Sequence, residues 1–175
     1  MADYPAHLVR ERRLADGRTV VIRPIRPADE KGERAFLEQL SPQTRRRRFI
    51  KYAHAPDEDL LRYFTHIDYD RHMAYVCEAR NGAGSEIVGD ARYTANADGR
   101  SCELGIVVGD DWHHTGVAQL LMEELTRAAR ARGLRTMQGV VLRDNRDMLD
   151  FVSALGFEST PSLEDERLVR ITKQL

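Results

Sequence analysis

Cysteine is almost missing from this chain. Of 175 residues only Cys77 and Cys102 carry thiols, both inside apolar runs. Neither sits in a metal-type or redox-type pair. Two buried, reduced thiols in a cytoplasmic protein are the expectation, with no zinc site. A dominant charge is missing too: 27 Lys and Arg meet 28 Asp and Glu, for a formal net charge of −1. That balance argues against general binding to nucleic acid or to a membrane surface. No apolar run reaches about 18 residues, so no membrane-spanning helix is expected. The N-terminus, with Asp3, Arg10, Glu11, Arg12 and Arg13, lacks the apolar stretch of a secretory signal. His7, His54, His66 and His72 show no metal-ligand spacing, and no repeat or low-complexity linker interrupts the chain. A chain of this length suits one domain that buries its own core.

Apolar periodicity supplies the elements. Residues Thr19 to Arg26 read as an opening strand after a turn at Asp16-Gly17, its prolines suggesting a sheet edge or a strand end. Helices are expected from an Asp29 cap to Leu40, from about Pro42 to Tyr52, and from about Pro56 to Phe64 with Asp57 as cap. The period then drops to two. Met73 to Ala79 and Glu86 to Tyr93 read as strands joined at Gly82-Ala83-Gly84, and Asp98-Gly99 signals a hairpin into a strand from Ser101 to Val108. A helix ending at Gly133 follows, then a strand over Met137 to Leu142, a helix from Asn145 to Leu155 and a strand from Leu168 to Thr172. This order describes an α/β (α+β) fold, a mixed and mostly antiparallel central sheet flanked by helices. Residues 18–175 form the single domain, behind an N-terminal extension of residues 1–17.

The most informative stretch joins the strand ending at Val108 to the helix carrying Val117, Leu120, Leu121, Leu125 and Ala128. A strand that enters a helix through small residues suits an anion. The first-turn N–H groups point outward, and the positive end of the helix dipole favours negative charge. Gly116 and Ala118 lack bulk, so a pyrophosphate can approach the backbone. An ordinary strand-to-helix turn fits the same residues.

In context, the span resembles the acyl-CoA loop of the GNAT N-acetyltransferase superfamily, Gln/Arg-x-x-Gly-x-Gly/Ala, which stands here as His113-His114-Thr115-Gly116-Val117-Ala118. His113 replaces the usual Gln or Arg, a change expected to weaken rather than abolish a grip made by backbone N–H groups. Asn145-Arg146-Asp147-Met148-Leu149, leading into Leu155-Gly156-Phe157, is similar to the superfamily's last helix, with its Asn near the cofactor. Upstream, residues 22–30, 36–42, Arg48-Phe49 and 67–74 resemble the GNAT domain of Pat-type bacterial protein-lysine acetyltransferases. The resemblance thus spans roughly residues 18–160. It implies a GNAT fold, acetyl-CoA as co-substrate without a metal, and an amine acceptor: a protein lysine, or alternatively a small amine. A non-catalytic acyl-CoA-binding regulatory module is the rival of a different class. The resemblance further implies that the six loop residues and Asn145 bind the cofactor. The backbone of Ile106, Val107 and Val108 would hold the pantetheine arm where the strand splays from its parallel neighbour. Many members place a Tyr four residues before the Gly of the closing Gly-Phe; Val152 stands there, leaving the general acid unassigned, and adjacent Ser153 faces elsewhere on the helix.

Acetyl transfer to lysine needs an uncharged amine, which costs about 4.6 kcal/mol at pH 7 for a pKa near 10.4. A carboxylate that takes the proton, directly or through water, lowers the barrier. Glu103 is the candidate general base. It shares a strand face with Gly105, whose missing side chain leaves room for substrate, and it sits on the strand that delivers the loop. In similar protein-lysine acetyltransferases a glutamate on this strand is the proposed base; a solvated glutamate on a half-exposed strand is the alternative. Arg45 to Arg48 point all round a helix, so at least one is expected inward, the rest forming a solvated face or attracting phosphate. Asp68, Asp70 and Arg71 fit a capped turn with a local ion pair better than an acceptor site. Trp112 is expected to anchor the loop by packing. Strand ends near the C-terminus leave pairing into a homodimer open.

Overall fold

The computed structural model describes residues 3–50, 57–82 and 84–175. Tyr52, His54, Pro56 and Ala83, which figure in the expectations above, lie outside the described residues. The sheet runs β1 (Arg10–Arg13), β2 (Thr19–Pro24), β3 (His72–Asn81), β4 (Gly84–Ala95), β5 (Ser101–Val108), β6 (Thr136–Leu142), β8 (Leu168–Gln174), β7 (Glu158–Pro161). Every neighbouring pair is antiparallel except β5 with β6. The helices are α1 (Glu30–Gln39), α2 (Pro42–Arg48), α3 (Glu58–Thr65), α4 (Val117–Ala131) and α5 (Arg146–Ala154).

Sequence reading misses two strands for a shared reason. β1 is Arg-Glu-Arg-Arg and β7 is Glu-Ser-Thr-Pro, so neither shows apolar alternation, and all four β7 residues are exposed. β1 pairs with β2 from Arg10↔Ile22 to Arg13↔Thr19, so the sheet begins within the segment that precedes residue 18. Pro24 closes β2 at its end, and β1 occupies the edge beside it. α2 stops at Arg48, where Phe49 leaves helical geometry and turns into the core.

The two faces of the sheet are built differently. Beneath α4 lies an apolar core that includes Tyr75, Ala91, Tyr93, Cys102, Leu121, Met122 and Leu125. Gly89 lets the helix close on the sheet, because a Cβ there would come 2.9 Å from Leu121 Cδ1 and 3.2 Å from Val117 Cγ1. The opposite face, covered by α1, α2 and α3, joins a smaller core of Phe36, Leu37, Phe49, Leu61 and Phe64 to buried charge. Arg23 grips Asp29 through two bonds of 2.7 and 2.9 Å and reaches Glu78 at 2.7 Å. Arg92 pairs with Asp90, donates to the Phe64 carbonyl at 3.1 Å and lies 4.0 Å over the Phe64 ring. Such pairing is what makes interior charge tolerable. Glu33 sits fully buried 3.8 Å from Arg92, and burial followed by the Asp90 charge pushes its carboxyl above the usual range.

Candidate active site

The site begins where the sheet opens. β5 pairs with β4 from Cys102↔Ala95 to Val108↔Gly89, but with β6 only at Ser101↔Thr136, Cys102↔Met137 and Glu103↔Gln138. Beyond Glu103 the two parallel strands diverge, while β6 stays zipped to β8 as far as Leu142↔Leu168. At the fork Gly139 lies close to Leu104; a Cβ there would sit 3.3 Å from Leu104 Cγ and 3.4 Å from its carbonyl oxygen. The β5 backbone from Leu104 to Val108 therefore has an edge without a strand partner, and peptide groups at such an edge seek hydrogen bonds elsewhere. A cavity of about 1340 Å³ occupies the opening. Leu104 to Val108 form one wall, Gly139 to Val141 the other, and the loop from Trp112 to His114 lies at one end with Gly116 and Ala118.

Loop geometry suits an anion. Gly116 has φ +95°, a left-handed conformation that glycine adopts without strain, and His114 has φ +59°. Gly116 is also the N-cap of α4 and supplies no side-chain acceptor. In α2, α3 and α5 the side chains of Ser41, Asp57 and Asn145 accept from first-turn N–H groups. α4 thus presents N–H groups that its own cap leaves open. Cross-braces hold the loop: Thr115 Oγ1 donates to the Trp112 carbonyl at 2.6 Å, His113 Nε2 lies 3.0 Å from the Val108 carbonyl oxygen, and Gly109 N donates to Val88 at 2.8 Å. Trp112 packs under the Arg18 guanidinium at 3.9 Å, in keeping with an anchoring role. Val117 is buried in the α4 core, so its part at the loop is confined to its backbone.

Sequence reading misses one tie. The Asp110 carboxylate accepts from Ser41 N (2.9 Å), Ser41 Oγ (2.8 Å) and Thr44 Oγ1 (2.7 Å), binding the loop to the start of α2. Burial pushes its carboxyl up, but these bonds and the His113 charge outweigh that and hold it below the usual range. Ser41-Pro42 announces the cap of α2; nothing local announces its partner 69 residues away.

Asn145 is buried at the cavity wall, its Oδ1 accepting from Met148 N at 3.4 Å. Val152 lines the cavity and is buried, while Ser153 is exposed and not part of the wall. Glu103 stands at the fork, one residue before the cavity wall on β5. Its Oε1 accepts from Gln138 Nε2 at 2.5 Å and lies 3.8 Å from Arg170 Nη1, with the side chain 45% exposed. The room expected above Gly105 is taken: Arg48 guanidinium atoms lie 2.9–3.1 Å from the place a Cβ would occupy. Of the arginine run, Arg45 caps the end of α1 through the Leu37 and Glu38 carbonyls, Arg46 meets Asp144 at 3.2 Å, and Arg47 and Arg48 line the cavity. The Asp68 turn is structural. Its Oδ1 accepts from Asp70 N and His72 N, and Asp70 pairs with Arg132. Among the described residues, no three His, Cys, Asp or Glu side chains cluster to hold a metal, and no helix is long and apolar enough to cross a membrane.

A sheet split between two parallel strands, leading to a helix start with open N–H groups, suits a ligand with an extended arm and an anionic end. Comparison with known proteins gives the family. The sequence model of the acetyltransferase (GNAT) family matches residues 31–157, most of the chain, and the chain belongs to that family. A Pseudomonas aeruginosa protein named as an acetyltransferase is 36% identical over 89% of this chain and 84% of its own length. The crystal structure of the GNAT domain of S. lividans PAT superposes with a TM-score of 0.88 at 28% identity, over 99% of this chain and 100% of that domain. A cAMP-binding acyltransferase from Mycobacterium smegmatis shares the fold at TM-score 0.65 and 24% identity, with 97% of this chain spanning 48% of that one. The protein is an acetyltransferase.

Proposed function

We propose that this enzyme moves acetyl from acetyl-CoA to a protein lysine by direct attack, with Glu103 as general base. The observation that carries the reading is the fork. The last residue with strands on both sides is a carboxylate, and the next residues offer open backbone along a cavity that ends at the uncapped α4. Ile106, Val107 and Val108 would bond the pantetheine arm. The turn from His113 to Ala118 would take the pyrophosphate through its N–H groups. Asn145 supports that end of the site by fixing α5.

Because Glu103 stands beside the cavity wall, its proton reaches it through water. Neutral amine nitrogen attacks the thioester carbonyl, a C–N bond forms and the C–S bond breaks. The amine proton passes to Glu103, and sulfur leaves as thiolate. Val152 supplies no acid, and a thiol pKa of about 8.5 lets the thiolate depart and collect its proton from solvent. Likeness to the GNAT domain of S. lividans PAT supports the lysine acceptor. A cytoplasmic setting fits two buried thiols whose pKa values burial pushes up to about 12.

Calorimetry with acetyl-CoA, paired with turnover on lysine peptides and small amines, tests the proposal. Glu103→Gln is expected to keep acetyl-CoA affinity and lose at least about 100-fold in turnover. Undiminished turnover, or equal loss of binding and turnover, removes Glu103 from the role of base. Turnover with small amines alone transfers the acceptor assignment to them.

A further inference from the structure

The fork holds a second set of polar groups that the reaction scheme above leaves unused. Gln138 is the register partner of Glu103 across the last β5–β6 pair. Arg170 lies opposite Val140 on β8, and Val140 shares a β6 face with Gln138, so all three polar side chains meet on one face of the sheet. They also meet on one atom. Gln138 Nε2 donates to Glu103 Oε1 at 2.5 Å, and Arg170 Nη1 stands 3.8 Å from the same oxygen. The amide hydrogen bond is made to Oε1.

We infer that Gln138 and Arg170 are positioning residues that hold Glu103 by Oε1 and leave Oε2 to receive the amine proton. This rests on the reading of Glu103 as base. A half-exposed glutamate otherwise samples several rotamers, and a proton acceptor works only within hydrogen-bond reach of the proton's path. The amide donor fixes the direction of the carboxylate, and the guanidinium flanks the same oxygen. Further cations stand near this face: Arg48 of α2 over Gly105, and Arg92 of β4, the register partner of Gly105, which is paired with Asp90. β4 contributes uncharged Thr94 opposite Glu103, and α3 brings the Tyr63 hydroxyl to 3.4 Å from that threonine.

The test uses Gln138→Leu, Arg170→Met and Arg170→Lys in the full chain, with Glu103→Gln alongside and thermal melting to confirm folding. Leu and Met variants are expected to lose about tenfold in kcat with the KM for acetyl-CoA unchanged. Arg170→Lys is expected to return kcat toward the parent value, since the cation beside Oε1 is restored. A kcat within about twofold of the parent in both the Leu and Met variants would overturn the inference while an inactive Glu103→Gln left the base in place. An active Glu103→Gln instead brings down the base reading and this inference with it.

Discussion

From Cys102 to Glu103 β5 has a strand on each side, whereas from Leu104 to Val108 it has β4 on one side and a cavity on the other. One strand thus does two jobs with the same backbone. Its two-sided end has no peptide groups to spare, so under the proposed function what it offers a substrate is a side chain held in place, Glu103. The one-sided end offers backbone donors and acceptors, so its side chains matter less than its edge, and Ile106, Val107 and Val108 need only be apolar and compact. On the proposed function, chemistry that depends on one oriented group belongs to the closed half, and recognition of an extended amide chain to the open half.

Acid should attack the closed half, with the largest effect expected here. One register row runs His72, Thr94, Glu103, Gln138 across β3 to β6. Burial, then the neighbouring Arg92 charge, lowers the His72 pKa from 6.5 to about 4. Above pH 6.5 the ring is neutral folded or unfolded, and its contribution is fully present. As pH falls the unfolded chain takes up the proton first, so stability drains away until the folded pKa is passed, by up to about 3 kcal/mol. Chemical denaturation between pH 7 and pH 4 measures this. His72→Gln should flatten that part of the profile, and an unchanged slope would place the loss elsewhere.

A wedge at the fork comes next. Gly139→Val puts branched carbons where even a Cβ lies 3.3 Å from Leu104 Cγ and 3.7 Å from Ile171 Cγ1. Overpacking of that kind costs about 1–3 kcal/mol, and the side chain also invades the cavity entrance. Lower melting temperature together with weaker acetyl-CoA binding is the expected result. Lower stability with unchanged binding would show that the open half tolerates a shifted β6.

Sequence reading reached the two halves unequally, for physical reasons. The β5 strand, the α4 helix and the Gly116 turn are written in local periodicity and small residues, and the structure places them close to the expected boundaries. Divergence from β6 is not local, since it depends on how a parallel neighbour is carried away by β8. Arg48 over Gly105 is hidden for the same reason. Glycine signals space, and the occupant arrives from a helix 57 residues earlier in the chain. The Asp110 tie to Ser41 and Thr44 likewise joins two segments whose separate signals, a cap and a loop acid, say nothing of each other. Polar β1 and β7 stay invisible because they carry no apolar period.

Gly116→Ala tests the far end of the open half. No atom lies within 4 Å of the added Cβ, so the effect isolates backbone conformation at φ +95°. An L-residue there costs about 1–2 kcal/mol. Relaxation of the loop away from this geometry should weaken acetyl-CoA binding about tenfold, with kcat nearly kept. Unchanged affinity would mean that the turn does not shape the pyrophosphate site.

Gly105→Ala should have the smallest effect and separates the two halves most directly. The three atoms nearest its methyl would all belong to the end of a long side chain, the Arg48 guanidinium, at 2.9–3.1 Å. The guanidinium can swing aside, so stability should change by less than about 1 kcal/mol. Gly105 is on the Glu103 face of β5, whereas the edge toward β6 belongs to the backbone. Displacing Arg48 therefore should raise the KM for the amine acceptor and leave acetyl-CoA affinity alone. A variant that loses acetyl-CoA affinity instead would place Arg48 in the cofactor's half of the cavity and erase the division drawn along β5.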